Sequence, residues 1–553
     1  METALIHERI DDIPLLIATM RRLKLAEAID KHVQVHGNHD GMTIGNLMMV
    51  WLAHIMSQGN HAKSRVADWV KKRRHMLRML LRQPIRVRDF SDDRLGVGLK
   101  YLSDPEVWQQ IEAEIWAAMV EVYDPGIEHI RVDATTANGH HEMSEDGLMQ
   151  RGHSKDHRPD LPQLKMMAAS AEPCHLPLAH DVVSGEHADD PLYVPLIERV
   201  RNLLQRSGML YVGDCKMAAL HTRAWLVQQG DHYLTPLPLT GETATLMEQW
   251  IDNIVEGEQT ATLIWQAGEL IGAGYEFVRA MSAPGSNQAT LSWSERVLVV
   301  RSLKQAHAQH QTLLAHLSKA KAALSKLAPA PARGKRPIRT EAVLQQHIQT
   351  ILDQYAVHGL LHITFERLEP ESGQSYYRIT DIRHNQEAIE QHVHRLGWRV
   401  MVSNVPPDKL AFTPLTLIYR EGWGLERLFH HLKNAPLGLS PLWVRLDHQI
   451  QGLTHLLTLG LRVLSTIEFA LRESLNAANE QLSGLYPGSP NRRTSHPTAS
   501  MVLKAFAQAE PTLTLTRTPT GQQAHMTSLP RHLRRVLRFF GLPLALYHRL
   551  QLS

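Results

Sequence analysis

The chain contains little cysteine. Its 553 residues include only two, Cys174 and Cys215, far apart and without a Cys-x-x-Cys motif. A disulfide framework and a thiolate zinc site both need more cysteines at closer spacing, so neither is expected. This composition is typical of a reducing compartment.

Apolar segments that could enter a membrane are also scarce. The first nine residues lack the basic start and apolar run of a signal peptide. The most apolar late segment, Leu453 to Leu471, is interrupted by His455, Arg462 and Glu468. We therefore expect a soluble internal protein with no membrane partner.

The chain has almost no excess of charge, with 59 Lys and Arg against 56 Asp and Glu. The basic residues are nevertheless clustered. Ten of them lie between Lys63 and Arg88 with one acid, nine lie between Arg301 and Thr340 with none, and Arg531, Arg534, Arg535 and Arg538 lie near the C-terminus. Three separate basic clusters in a near-neutral chain indicate a long polyanion as partner, and nucleic acid fits this description.

Residues 1–124 are predicted to be helical. Apolar residues recur at helical spacing, and Thr43 is a candidate N-cap for the run from Ile44 to Ile55. Short helices with a basic stretch are typical of a helix-turn-helix-like DNA-binding region. Within that stretch we predict that Arg73 and Arg74 contact DNA.

Residues 125–240 have the pattern of an α/β domain. Ile127 to Asp133 reads as a short strand that ends in an acid, and two further strands, a helix, a strand ending at Asp214, a helix and a fifth strand near His232 follow. This β-β-β-α-β-α-β order is that of ribonuclease-H-like domains. If the first and fourth strands are parallel neighbours, Asp133 and Asp214 emerge at the same sheet edge, where open α/β sheets bind ligands.

Three further regions complete the predicted organisation. Residues 241–404 are predicted to be a mixed helix and strand insertion that does not continue the sheet, with a helical hairpin whose tip is basic and rich in proline. Residues 405–475 hold the second part of the catalytic core, and 476–553 form a helical C-terminal region. The fold class is therefore α/β: a ribonuclease-H-like catalytic domain interrupted by an insertion, with helical N- and C-terminal regions.

The segment from Tyr419 to Lys433 is predicted to be one amphipathic helix. Its apolar stripe would pack on a core, while Tyr419, Gly422, Glu426 and Lys433 share another face. Either an ordinary surface helix or a catalytic one fits this pattern. Glu426 would offer a third carboxylate to Asp133 and Asp214.

The motifs together resemble the DDE transposases of bacterial insertion sequences. The resemblance covers most of the chain and depends on four segments: Val-Asp133-Ala-Thr-Thr, the stretch from Gly152 to Gln163, Tyr-Val-Gly-Asp214, and the segment from Tyr419 to Lys433. The matching branch has a large insertion domain and a Tyr-Arg-Glu-Lys signature helix. In this chain Gly422 stands where the branch has the signature arginine. Arg420 and Arg427 are candidates to replace it, although neither lies on the same face.

The resemblance implies an enzyme that cleaves DNA at transposon ends and transfers the strand to target DNA. Asp133, Asp214 and Glu426 would be both catalytic residues and ligands of two Mg²⁺ ions, for which Mn²⁺ is expected to substitute. Tyr419 and Lys433 would contact the DNA backbone.

The loop from Gly152 to Gln163 also bears on DNA binding. His153 and His157 have a spacing used by zinc helices, but Pro159 and Pro162 make the segment a loop, which favours phosphate contact or structural hydrogen bonds. Lys155 and Arg158 are its predicted DNA contacts.

The expected partners are double-stranded DNA, namely the terminal inverted repeats and the target, and a second copy of the chain as a homodimer on DNA. The expected location is the bacterial cytoplasm, at the nucleoid when DNA is bound. The alternative function is a DNA-binding protein derived from a transposase whose chemistry has decayed, which the loss of arginine at Gly422 favours.

Overall fold

The computed structural model describes residues 4–37, 39–285, 290–327, 337–371, 374–518 and 521–551. The chain divides into two compact units. The first comprises Met1–His232 and Arg420–Ser553, and the second comprises Tyr233–Tyr419. The predicted insertion, 241–404, lies inside the second unit.

The first unit contains four neighbouring strands of a mixed sheet. Its strands are β2 (His129–Asn138), β3 (Gln163–Glu172), β4 (Leu176–Ser184) and β5 (Leu210–Val212), in the order β4-β3-β2-β5. The β2-β3 and β3-β4 pairs are antiparallel, whereas β2 and β5 are parallel. The predicted parallel pairing of the first and fourth strands of this domain is thus confirmed.

Most of the chain before β2 is helical, and one further helix follows each of β4 and β5. These helices are α1 (Ile13–Arg22), α2 (Leu25–His32), α3 (Ile44–Gln58), α4 (Val66–Lys71), α5 (Arg74–Leu81), α6 (Asp92–Leu102), α7 (Pro105–Tyr123), α8 (Tyr193–Leu204) and α9 (Leu220–Gln228). The prediction of Thr43 as an N-cap is confirmed, because its hydroxyl accepts a hydrogen bond from the backbone N–H of Asn46.

The second unit contains five neighbouring strands of a mixed sheet and a helical hairpin. The strands β6 (His232–Pro236), β7 (Thr262–Gln266), β8 (Glu269–Pro284), β9 (Thr290–Ser302) and β12 (Trp398–Ser403) have the order β6-β12-β9-β8-β7. A separate antiparallel pair consists of β10 (Leu361–Leu368) and β11 (Tyr376–His384). The helices are α10 (Glu242–Val255), α11 (Leu303–Leu327), α12 (Glu341–Tyr355), α13 (Gln386–His394) and α14 (Phe412–Arg420).

The remaining elements of the first unit follow α14. They are α15 (Trp423–Lys433), α16 (Asp447–Ala478), β13 (Leu482–Ser483), β14 (Arg493–Thr494), α17 (Ala499–Ala509), β15 (Thr512–Thr518), β16 (Gly521–Met526), α18 (Arg531–Phe539) and α19 (Ala545–His548). By length and composition α16 could cross a membrane, but 94% of its most apolar window is buried inside the protein. It is a core helix of the first unit.

Several sequence predictions are wrong in detail. The N- and C-terminal regions are not wholly helical, because β1 (Ala4–Arg9) pairs with β15, which also pairs with β16. Residues 241–404 do continue a sheet, since β9 and β6 both pair with β12. These pairings join residues far apart in sequence, so local patterns do not reveal them. The helical hairpin of α11 and α12 is confirmed, while most of its basic tip, 328–336, lies outside the described residues.

Candidate active site

Two acids come together where β5 ends beside β2. The last parallel register pair is Arg131 with Val212, so Asp133 and Asp214 each lie two residues beyond it. Asp133 does not end its strand, contrary to the sequence prediction. β2 continues to Asn138 because residues 134–138 keep pairing with β3. The acid therefore projects from a continuous strand at the point where the neighbour on its other side stops.

The electrostatic environment of Asp133 couples it to both a lysine and Asp214. Burial raises the pKa of Asp133, the Lys155 ammonium lowers it, and the Asp214 carboxylate raises it again, leaving the pKa above its ordinary value. The Lys155 Nζ lies 3.4 Å from Asp133 Oδ1 and donates to the Ala134 carbonyl at 2.6 Å. Lys155 thus acts as the local counter-charge.

Asp214 is fixed by two donors. The Tyr193 hydroxyl donates to Asp214 Oδ1 at 2.6 Å, and the Lys216 backbone N–H donates to the same oxygen at 2.9 Å. Burial, followed by the charges of Asp214 and Asp133, raises the pKa of Tyr193 well above its ordinary value. Tyr193 therefore stays a neutral donor that orients the carboxylate.

Asp189 is a further acid of this region. Its carboxylate lies 3.6 Å from Lys155 Nζ and also accepts from the Lys165 ammonium. No local sequence pattern predicts that Asp189 and Tyr193 join the predicted acids. Both lie where the chain turns from β4 into α8, and only the tertiary fold brings that turn to Asp133.

Glu426 lies on a helix that packs against the same strands. Helix α15 contacts β2 and β3, with Leu425, Leu428 and Leu432 buried and Glu426 exposed. Among the described residues, no group of three or more His, Cys, Asp or Glu side chains is arranged to hold a metal ion. Asp133 and Asp214 offer the hard oxygen ligands that Mg²⁺ prefers, but Glu426 does not complete a three-acid group with them.

The predicted continuous helix from Tyr419 to Lys433 is wrong. Helix α14 ends at Arg420, a turn follows, and Gly422 is the N-cap of α15. Glycine weakens a helix interior by about 1 kcal/mol, which favours a break here. Tyr419 therefore does not share a helix face with Glu426. Its hydroxyl lies 3.4 Å from the Arg399 guanidinium, which stacks over its ring.

The other predicted DNA contacts have internal partners. The Lys433 ammonium donates to Asp156 at 2.7 Å, and Arg158 pairs with Asp160 at 2.8 Å in an exposed ion pair. Arg427, one candidate to replace the signature arginine, pairs with buried Glu468.

Of the two arginines predicted in the basic N-terminal stretch, one is buried. Arg73 stacks on Trp69 with an ion-pair distance of 3.8 Å to Asp11, so it is not placed to contact a phosphate. The fold places Arg73 on the inner side of this segment, so the residue is buried although it is charged. Arg74 is exposed and donates through Nε to the Ile85 carbonyl at 2.8 Å.

Comparisons with known proteins add little. Neither a protein-family model nor a curated protein matches the sequence. One similar solved structure is the cryo-electron microscopy structure of a piggyBac transposase synaptic complex with hairpin DNA. It aligns over 97% of this chain and 86% of that chain, with 9% identity and a TM-score of 0.32. A similarity this low carries no argument, so the function must be argued from the residues themselves.

Proposed function

We propose that the protein is a DDE-type transposase that cleaves DNA at the ends of a mobile element and joins the freed end to target DNA. The observation that supports this most is the placement of Asp133 on β2 and of Asp214 just beyond the end of β5, each two residues past the last register pair of these parallel strands. Acids at such a position can hold divalent cations between two strand edges. The order β4-β3-β2-β5 also agrees with the first four strands of the ribonuclease-H-like arrangement expected from the sequence.

The residues of the site would divide the work. Asp133 and Asp214 would hold Mg²⁺, and the exposed carboxylate of Glu426 on α15 would be the third ligand. Bound Mg²⁺, or Mn²⁺ in its place, would activate the attacking water or 3′-hydroxyl and stabilise the leaving oxygen. Tyr193 orients Asp214, and Lys155 balances the charge of Asp133.

The substrate in this proposal is double-stranded DNA that carries terminal inverted repeats. Because two ends must be paired before they are joined, the working form would be a homodimer on DNA. Lys433, Lys155, Arg158, Arg74 and Tyr419 remain the proposed backbone contacts. Binding would require Lys433 and Arg158 to exchange their aspartate partners for phosphate, which is a competition between similar ion pairs.

A second function has an observation in its favour. The interrupted helix at Gly422 and the exposed position of Glu426, outside any three-acid group in the described ranges, fit a DNA-binding protein whose chemistry has decayed. Such a protein would bind element ends in a salt-sensitive manner without cutting them.

Cleavage of labelled duplexes carrying the terminal repeats that flank the reading frame separates the two functions. An active enzyme requires Mg²⁺ and loses cleavage in Asp133→Asn, Asp214→Asn and Glu426→Gln. The matched control is Glu421→Gln, which neutralises an exposed acid in the turn before α15. Undiminished cleavage in all three acid variants would overturn the assignment.

Replacing Gly422 tests the decayed function directly. Gly422 has φ −62°, a conformation that any L-residue adopts. Binding without cleavage in the natural chain, together with cleavage in Gly422→Arg, would support decay. Cleavage by the natural chain would contradict it.

A further inference from the structure

Helix α18 presents a row of arginines on one side. Arg531, Arg534, Arg535 and Arg538 are spaced by three, four and seven residues, so they share one helix face. The opposite face is apolar and buried, through Leu533, Val536 and Leu537 among others. We call the four residues the arginine face. Because the apolar face of α18 packs into the first unit, the four arginines are carried by a firmly packed helix.

Most of these charges lack a counter-charge. Arg535 pairs with Glu480 and stacks on Phe539. Arg538 lies 5.3 Å over the same ring. Among the ion pairs of the described residues, none includes Arg531, Arg534 or Arg538. Three exposed guanidinium groups therefore remain available to an anion.

The arginine face borders a shallow depression that is widely open to solvent. A cavity of about 730 Å³ is bounded by the four arginines and residues 541–544. It shares Arg535 with a polar cavity of about 540 Å³ that Arg493 also lines. It shares Gly541 with a cavity of about 740 Å³ that reaches Trp423 at the start of α15. The basic surface therefore adjoins the helix that carries Glu426.

We propose that the arginine face binds the sugar-phosphate backbone of double-stranded DNA. The inference rests on the proposed function, in which such DNA is the substrate. Seven helical residues span about 10 Å, along which a duplex presents about one charge per 1.7 Å. Guanidinium groups bind phosphate oxygens in a forked, bidentate manner and need no particular base sequence. A bilayer is a poorer occupant, since the apolar side chains of α18 point into the protein.

The test compares two variants that each remove two positive charges. Arg534→Gln/Arg538→Gln lies on the arginine face. The matched control, Arg367→Gln/Arg383→Gln, removes exposed arginines that pair with Glu369 and Asp381. Fluorescence anisotropy measures binding of the full chain to a labelled random-sequence duplex between about 50 and 200 mM salt. Because the affected side chains are exposed, both variants should melt at the natural temperature.

The salt dependence decides the outcome. Each lost phosphate contact makes the negative slope of log K against log salt shallower by about 0.9. The slope of the arginine-face variant should therefore become shallower by about 1.8, and that of the control should not change. Equal slopes in the two variants would overturn the proposal. So would tighter, arginine-dependent binding to double-stranded RNA or to phosphatidylserine vesicles than to DNA.

The inference and the proposed function can fail separately. If the chain shows no Asp133-dependent cleavage, but the salt slope becomes shallower only in the arginine-face variant, DNA binding by the arginine face is supported and the enzymatic function is refuted. If cleavage depends on Asp133 and the two slopes agree, the enzyme stands and the surface falls.

Discussion

Replacing Lys155 with methionine would remove the positive charge that balances Asp133 and the neighbouring Asp214. Its ammonium lies 3.4 Å from Asp133 and 3.6 Å from Asp189. At 3.4 Å an ion pair is worth about 5 kcal/mol at an effective dielectric constant of about 20, and about 1 kcal/mol in water. The Lys155 and Asp133 side chains are 28% and 33% exposed, so solvent screens the pair. We expect Lys155→Met to lower the free energy of unfolding by about 2 kcal/mol, a value between the ~1 kcal/mol of an exposed ion pair and the ~3–5 kcal/mol lost when a buried pair is broken.

The same substitution should strengthen the response to Mg²⁺. Without the ammonium, the acids carry an uncompensated negative charge that a divalent cation can neutralise. Binding to the folded state stabilises it by RT ln(1 + [L]/Kd), or about 2.7 kcal/mol at one hundred times Kd. Thermal unfolding followed by circular dichroism, first with a chelator and then with increasing MgCl₂, should therefore show a larger upward shift of Tm for Lys155→Met than for the natural protein.

Lys433→Met is the matched control, because Lys433 also pairs with an aspartate, Asp156 at 2.7 Å. It should lose a similar stability without gaining sensitivity to Mg²⁺. Adding Asp133→Asn to Lys155→Met should abolish the gain. If Lys155→Met responds to Mg²⁺ no more than Lys433→Met does, the reasoning that Asp133 and Asp214 form a cation-binding pair is refuted.

Three further predictions concern packing and pH. In Gly424→Ala the new methyl group would meet the His175 ring, and overpacking of this kind costs about 1–3 kcal/mol. This cost should outweigh the helix-propensity gain of about 1 kcal/mol, so urea unfolding should show a lower free energy of unfolding. Adding His175→Ala should restore that free energy. Burial lowers the pKa of His455 to about 3, so as pH falls the unfolded chain binds the proton first and the stability of the folded chain declines below about pH 6.5. His455→Gln should reduce this decline by up to about 1.36 kcal/mol per pH unit. An unchanged slope of unfolding free energy against pH in this variant would contradict the prediction. Burial alone would raise the pKa of Glu112, but Arg462 and its neighbours lower that pKa to about 2, so the stabilisation from Glu112 is present above about pH 4.5 and is lost toward pH 2. Glu112→Gln should lower the free energy of unfolding by about 3–5 kcal/mol at pH 7 and remove this loss of stability in acid. An unchanged stability of Glu112→Gln at pH 7 would refute a buried charge at this position.

Local patterns predicted much of the fold correctly. The strand sequence from β2 to β6, the N-cap at Thr43 and the hairpin of α11 and α12 all follow from apolar periodicity and capping chemistry within short windows. The strands β7 to β9 were missed although they pair as hairpins between neighbours along the chain, because β8 carries several glycine and alanine residues, which are uncommon in strands. A sheet of this kind is specified by its partners more than by its own pattern.

For the candidate site, residue type was a weaker guide than position. Asp133 and Asp214 were predicted as a pair because an acid follows the apolar run of two strands expected to be parallel neighbours, although β2 continues beyond Asp133. Arg73 was misassigned because charge was counted without the fold that buries it against Trp69. The helix through Glu426 was predicted as continuous because its apolar stripe is periodic, whereas Gly422 caps a new helix there.

The sequence by itself determined most of the helices, the strands β2 to β6 and the acids that stand beside β2 and β5, because these follow from side-chain periodicity within one or two turns of chain. Only the tertiary structure decided that Lys155 and Tyr193 would hold those acids and that Glu426 would remain exposed. It also decided that, among the described residues, Arg535 of α18 would have a carboxylate partner and Arg531, Arg534 and Arg538 would have none. Each of these depends on which groups meet across long sequence separations, where burial and counter-charges are set by packing and not by the local pattern.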